Sequence, residues 1–451
     1  MFKRYLLKRL LVIGFLLTFF LSSSLAFGAE KVTITWLMRS NPVENKWQKE
    51  YVIPKFEASH PNISINLIIV PFNQMDQKLL TMVAAGEPPD VFSQWGISGF
   101  GDYYARGLLL DLTPYIERDR YNLGAFIPRV INIYKRSGKY YSVPQVTNYG
   151  IMMYYNKDLF DKAGLPYPPV SWKDKSWTWD KMLDYAKKLT KNYGEGVNAQ
   201  YGIDCSYFQG AIWGAAYLWG DDPFLPEHYK TGLAKSSKLD SPGVIEAVQA
   251  VADLIYKHKV APTPAISQVL SQLGPLFGTG KIGMSFGLPT QAYTNYQNAP
   301  FKWGLAPMPY VKDNKVAWFN GTWFIAKNSK HPEEAWEFLK FLTSEEAARD
   351  MAKVTGFLVP LKRVVNDWYK LFEKPTGMKS DQIKTVVEGV LANGVENVNH
   401  LFISWPEIND ILTQELSQIW LGKVSASEGL KSAKPKVDEV ILKIYKQFSG
   451  K

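Results

Sequence analysis

Cysteine is almost missing from this chain: its 451 residues hold a single one, Cys205, in YGIDCSYF. One thiol excludes a disulfide within the chain and any multi-cysteine zinc or iron-sulfur site. No cysteine stands near the end of the amino-terminal apolar stretch, so a lipid-modified cysteine has no place to tether the chain there. Histidine is scarce as well. His60, His228, His258, His331 and His400 are scattered, with no H-E-x-x-H and no close pair, and a zinc hydrolase has no ligand set. Gly274 to Lys281 has a glycine and lysine flavour, yet G-x-x-x-x-G-K-[ST] is absent, as is the G-x-S-x-G nucleophile elbow. A nucleotide enzyme and a serine hydrolase both lose their anchor. No dense Lys/Arg tract exists either. The 52 basic residues face 42 acidic ones, four of the bases belong to the first nine residues, and so modest an excess leaves no nucleic-acid footprint. No apolar run beyond the amino terminus reaches membrane-spanning length, and no internal repeat recurs at a fixed period.

What is present begins with a leader. Lys3, Arg4, Lys8 and Arg9 precede the apolar run Leu10 to Phe20, and small residues follow at Ser22 to Ser24 and Ala26 to Ala29. This is the pattern of an export signal over residues 1–28, with the mature chain starting near Ala29. An uncleaved anchor over Leu10 to Ala29 is the competing reading. The expected location is periplasmic or otherwise extracytoplasmic, without lipid attachment. Length alone predicts two or three domains, and 46% hydrophobic against 21% charged residues predicts compact folding almost throughout.

Strand, helix, strand, helix, strand is the rhythm of the first hundred residues: Lys31 to Met38, Glu44 to Ser59, Asn66 to Val70, Asn73 to Ala85, and Asp90 to Phe92. Such alternation predicts a parallel sheet with helical crossovers, in which Arg39 to Asn41 and Gln94 to Gly96 share the rim at the strands' carboxyl ends. The stretch PQVTNYGIMMYYNKDLFDKAG, Pro144 to Gly164, reads as a strand from Tyr149 to Tyr155 followed by a short helix that Gly164 stops. It is expected to carry the backbone from one lobe into another. The return is expected near Trp303 to Ala326, where Phe319-Asn320-Gly321 reads as a turn before a strand from Thr322. Beyond it, Ala335, Phe338, Leu339 and Leu342 form the inner stripe of a helix from Pro332, Thr343 with Glu346 reads as a capping box, and the tail is helical.

The informative excess is aromatic, with 15 tryptophans, 25 tyrosines and 24 phenylalanines. Several fall at expected element ends beside glycine or asparagine: Trp95-Gly96, Asn148-Tyr149-Gly150, Trp219-Gly220, Phe286-Gly287, Trp318, and Asn320-Gly321-Thr322-Trp323. Flat rings can cover the C-H face of a pyranose while Asn, Asp, Gln and Arg satisfy its hydroxyl rim. The competing reading makes these residues a crowded hinge and interdomain contact. Asp221-Asp222 is either a turn or part of a calcium site. Glu87, Asp90 and Glu407 keep a carbohydrate hydrolase open as the enzymatic alternative.

Taken together in order, the leader, GEPPDVF at Gly86 to Phe92, YYNKDLFDKAGL at Tyr154 to Leu165, TWDKM at Thr178 to Met182, GKIGMSFG at Gly280 to Gly287, APMP at Ala306 to Pro309, SKHPEEAWEFLKFLTSEEA at Ser329 to Ala347 and TGFLVP at Thr355 to Pro360 resemble the extracytoplasmic solute-binding proteins of bacterial ABC importers, in the sugar and oligosaccharide group that includes maltose-binding proteins. The resemblance implies an α/β fold of two lobes, residues 29–145 with 309–365 and residues 146–308 with 366–451, joined by a hinge around a ligand cleft. It implies a carbohydrate ligand, an integral-membrane permease with its ATPase as partner, no cofactor, no catalytic residue and a monomer. Carried over position by position, the contacts are Arg39, Asn41, Gln94, Trp95, Tyr149, Trp219, Asp221, Phe286, Trp318, Asn320 and Trp323. A non-sugar solute and a cell-envelope scaffold remain the other readings.

Overall fold

The computed structural model describes residues 31–94 and 96–450, so the leader and Trp95 lie outside the described residues. The chain opens with β1 (Val32–Arg39), β2 (Ile63–Val70) and β3 (Val91–Ser93), separated by helices Pro42–Trp47, Ile53–Ser59 and Met75–Ala84. β1 lies between β2 and β3 and is parallel to both, Arg39 pairing with Val70 and Leu37 with Phe92. The three carboxyl ends therefore reach one rim, as the alternation of elements predicts. Trp36 is fully buried on β1 and meets Trp47, Trp323 and Phe338 edge-on at 5.0–6.2 Å, which anchors the sheet to its helices.

A hairpin of β4 (Lys135–Arg136) and β5 (Lys139–Tyr140) leads into β6 (Val143–Gly150), which belongs to the first sheet. One residue, Ile151, then separates β6 from β7 (Met152–Asn156), which belongs to a second sheet. That sheet has the order β10-β7-β9-β8, with β8 (Tyr201–Asp204), β9 (Ile282–Gly287) and β10 (Trp303–Ala306). The expected strand over Tyr149 to Tyr155 is thus two strands in two sheets. At the junction Tyr149 takes φ +47°, in the left-handed region that costs a bulky residue of order 1–3 kcal/mol. Its ring is held there by Trp368 at 5.6 Å and its hydroxyl by that of Tyr369 at 3.1 Å.

The backbone returns between Ala306 and β11 (Val316–Ile325), which pairs with β3, β6 and finally β12 (Gly394–Glu396). Phe319-Asn320-Gly321 is therefore no turn but lies inside a ten-residue strand. The register against β6 slips on either side of Asn320 and Gly321, so the residues that read as a turn make an irregularity in the ladder. The helix Pro332–Leu342 buries Ala335, Phe338, Leu339 and Leu342 as its spacing predicts. The next helix, Glu345–Thr355, is capped by Ser344, whose hydroxyl accepts from the Ala347 amide at 3.2 Å, while Thr343 turns its hydroxyl back to the Leu339 carbonyl. The tail forms helices Ser380–Asn393, Trp405–Trp420 and Ala426–Phe448, the last two packed together. Among the described residues no helix is long and apolar enough to cross a membrane.

Candidate functional site

A cavity of about 410 Å³ opens where the first sheet's rim faces the second lobe. From the strand ends come Arg39, Asn41, Phe72, Gln94 and Gly96; from the interlobe strands, Asn148 and Phe319; from the second lobe, Tyr207 and a helix that follows β9. That helix, Pro289–Tyr296, starts with proline in its first turn and turns Thr290, Gln291, Thr294 and Asn295 into the cavity. Their spacing of one, three and one residues is that of a single helical face. Phe357, Asn399 and His400 complete the wall. No aspartate or glutamate lines the cavity among the described residues.

Each first-lobe group is held from behind. The Arg39 guanidinium is paired with Glu44, a carboxylate only 3% exposed. Asn41 caps the helix Pro42–Trp47 by accepting from the amides of Val43 and Glu44 at 3.1 and 3.3 Å. Gln94 donates to the Tyr134 hydroxyl and the Asn320 carbonyl and accepts from the Phe100 amide at 3.2 Å. The loop after Gln94 is clamped by Asp76, which accepts from the Ile97 and Ser98 amides at 2.9 and 3.0 Å and from the Tyr103 hydroxyl at 2.6 Å. Gly96 is required by this clamp, because a Cβ there would sit 2.5 Å from the Asp76 carboxylate. Burial pushes the Asp76 carboxyl above its ordinary range, against the pull of those hydrogen bonds. Below the rim, Glu396 accepts from Tyr134 at 2.8 Å, from the Asn320 side chain and from His400.

The two lobes touch across the cavity. Thr290 donates to the Asn148 side-chain oxygen at 3.1 Å, and Thr294 donates to the Thr355 carbonyl at 2.8 Å. Gly356, at φ +75°, lets Tyr293 pack against the backbone here, since a Cβ would lie 2.5 Å from its ring.

Of the residues that sequence singles out, Arg39, Asn41 and Gln94 come together in this cavity. Asn320 is buried just behind it, linked to Gln94 and Glu396. Trp95 lies outside the described residues. The aromatic ones are buried in the core and do not line this cavity. Tyr149 sits at the junction described above. Trp219 and Phe286 join Trp179 and Phe208 in an aromatic cluster with ring centroids 4.7–6.3 Å apart. Trp318 donates to Thr147 at 2.9 Å under the Arg129 guanidinium, and Trp323 meets Trp36. Asp221 is paired with Lys238 at 2.8 Å and accepts from Ser241 at 2.6 Å, which fixes the start of the helix Pro242–Tyr256. No group of three or more potential metal ligands gathers among the described residues. Phe72, the helix Pro289–Tyr296, Phe357 and the place of His400 in the cavity escaped the sequence reading, while Asn148 was singled out only as the neighbour of Tyr149. For the helix a signal existed: Pro289 directly after a strand and Leu288, then a polar stripe.

Comparison with known proteins agrees with this architecture. The family model for bacterial extracellular solute-binding proteins matches residues 40–349. The arabinooligosaccharide-binding protein of Bacillus subtilis (strain 168) is 25% identical over 368 residues, 79% of this chain and 78% of that one. A binding protein of Brucella abortus (strain 2308) is 28% identical over 409 residues, 87% of this chain and 90% of its own. Among solved structures, an ABC substrate-binding protein from Listeria monocytogenes in complex with cycloalternan superposes with a TM-score of 0.75 and 25% identity, over 91% of this chain and 99% of that one. The two sheets, the cleft between them and the match over most of the length make this chain a member of the bacterial extracellular solute-binding protein family.

Proposed function

We propose that the chain binds a neutral oligosaccharide in the interlobe cavity and delivers it to an ABC-type membrane permease driven by a separate ATPase. The observation that carries this reading is the chemistry of the lining: six carboxamide side chains, hydroxyls and four aromatic rings, with its arginine already paired. Carboxamides give and take hydrogen bonds, as sugar hydroxyls do, and rings such as Phe72, 45% exposed, offer a face for C-H groups. The names of the relatives, which bind arabinooligosaccharide and cycloalternan, support the same class of ligand. Binding without hydrolysis fits a lining that lacks the carboxylate pair of a glycosidase. In this reading the leader directs export, the mature monomer works outside the cytoplasm, and the lobes close about the crossings at Ile151 and residues 307–315, the ligand stabilising the closed form by touching both walls.

The test is tryptophan fluorescence and melting temperature of the mature protein against maltotriose, α-1,5-arabinotriose, galactobiose and glycerol 3-phosphate, with each sugar checked for cleavage. A saturable shift with an intact sugar is expected. A response to glycerol 3-phosphate alone would remove the sugar reading, and cleavage would remove the binding-only reading.

A further inference from the structure

A carbohydrate must give its hydroxyl protons to acceptors, and beside the hydroxyls of Tyr207, Thr290 and Thr294 the cavity offers few uncommitted carboxamide oxygens. Of the six lining carboxamide oxygens, four already accept from the protein: that of Asn41 in its helix cap, that of Gln94 from the Phe100 amide, that of Asn148 from Thr290, and that of Asn399 from the Asn397 side chain. Gln291 and Asn295 keep theirs, and no carboxylate lines the cavity among the described residues. His400 fills the gap. Its side chain is 3% exposed, and its Nδ1 lies against Glu396. Glu396 collects donors from every side, taking the Tyr134 hydroxyl and the Asn320 side-chain N–H, so Nδ1 carries a proton and donates too. Nε2 is then a bare lone pair, without a hydrogen-bond partner among the described residues, on a ring that lines the cavity.

We propose that His400 is a specificity-determining residue whose Nε2 accepts a hydrogen bond from a ligand hydroxyl, with Glu396 as the positioning residue that fixes the tautomer; this rests on the cavity being a carbohydrate site. The groups facing the ring are Glu396 and Tyr134 behind it, Phe319 edge-on at 6.2 Å, the Gly99 backbone before the helix that carries the Asp102–Arg106 pair, and Arg39 with Glu44 on the same cavity wall.

The test uses long-range ¹H–¹⁵N spectra of the imidazoles in the full mature protein, where five histidines are few enough to assign with His400→Gln. At pH 8 without sugar, His400 is expected as the Nδ1–H tautomer. Maltotriose and α-1,5-arabinotriose are then added, with tryptophan fluorescence reporting binding independently. The expected result is a displaced Nε2 resonance and at least tenfold weaker binding by His400→Gln. An Nε2–H tautomer overturns the proposal whatever binds. Binding by fluorescence with an unmoved Nε2 resonance and unchanged variant affinity overturns it and leaves the carbohydrate reading intact. Silence from both sugars removes the hydroxyl partner, and the proposal goes with it.

Discussion

On the first-lobe side of the cavity, Gln94 has its amide divided among Tyr134, Asn320 and Phe100, Asn41 is a helix cap and Arg39 is paired. On the second-lobe side, Gln291 and Asn295 stand on one face of a short helix with their carboxamide oxygens uncommitted. The first wall is rigid because its groups also hold the fold together. On the second wall Thr290 and Thr294 reach across to Asn148 and Thr355, and it is Gln291 whose side chain has no hydrogen bond to the fold among the described residues. In the proposed mode of binding, selection by shape belongs to the first wall, and capture on closure to Gln291 on the second.

The largest expected effect tests the rigid wall. Glu396→Ala leaves His400 and Asn320 without their acceptor and takes one of two from Tyr134 in a buried site, and unfolding followed by heat or denaturant should show a loss of about 2–5 kcal/mol, at about 1–3 kcal/mol for each buried donor left unpaired. Unchanged stability would dissolve the distinction between the walls. Gln94→Ala comes next, at about 1–3 kcal/mol, because three neighbours lose a partner. On the adjustable wall the pattern should invert: Gln291→Ala keeps its stability within about 0.5 kcal/mol and binds sugar roughly tenfold more weakly, a loss of about 1.4 kcal/mol. Titration calorimetry beside a melting curve separates the two. A smaller effect is expected from Asp76, whose carboxyl burial holds above its ordinary range. The folded state then keeps that proton more tightly than the unfolded state. Its contribution to stability is therefore fullest in acid and declines as pH rises from the ordinary carboxylate range through the folded value. Asp76→Asn should flatten that decline, and an unaltered pH profile would show that the carboxyl titrates as freely in the folded chain as in the unfolded one. Smallest of all, Thr294→Val removes one hydrogen bond across the cavity and should change ligand affinity by about 0.5–1.5 kcal/mol.

How much of this could be read from sequence follows from what each residue does for the fold. Arg39, Asn41 and Gln94 were legible because parallel strands must end together, whatever their side chains. Tyr149, Trp219, Phe286, Trp318 and Trp323 were not resolved, because an aromatic beside a glycine looks the same whether it faces ligand or core. Only the pleat and the junction at Ile151 decide, and both depend on contacts between β6 and β11 that lie about 170 residues apart in sequence. Asn320-Gly321 misled for a related reason: the residues that permit a turn also permit a slip in a ladder. His400 was invisible among five scattered histidines, since its meaning comes from Glu396 at the end of β12 four residues earlier and from Tyr134 far upstream.

The pairing of Arg39 with Glu44 also bears on how fast a ligand arrives. The charged side chain among the described lining residues, Arg39, brings its own counter-ion, so it casts little field beyond a few ångströms of the opening. Encounter is left to ordinary diffusion, and the association rate should stay nearly level from dilute buffer to high salt.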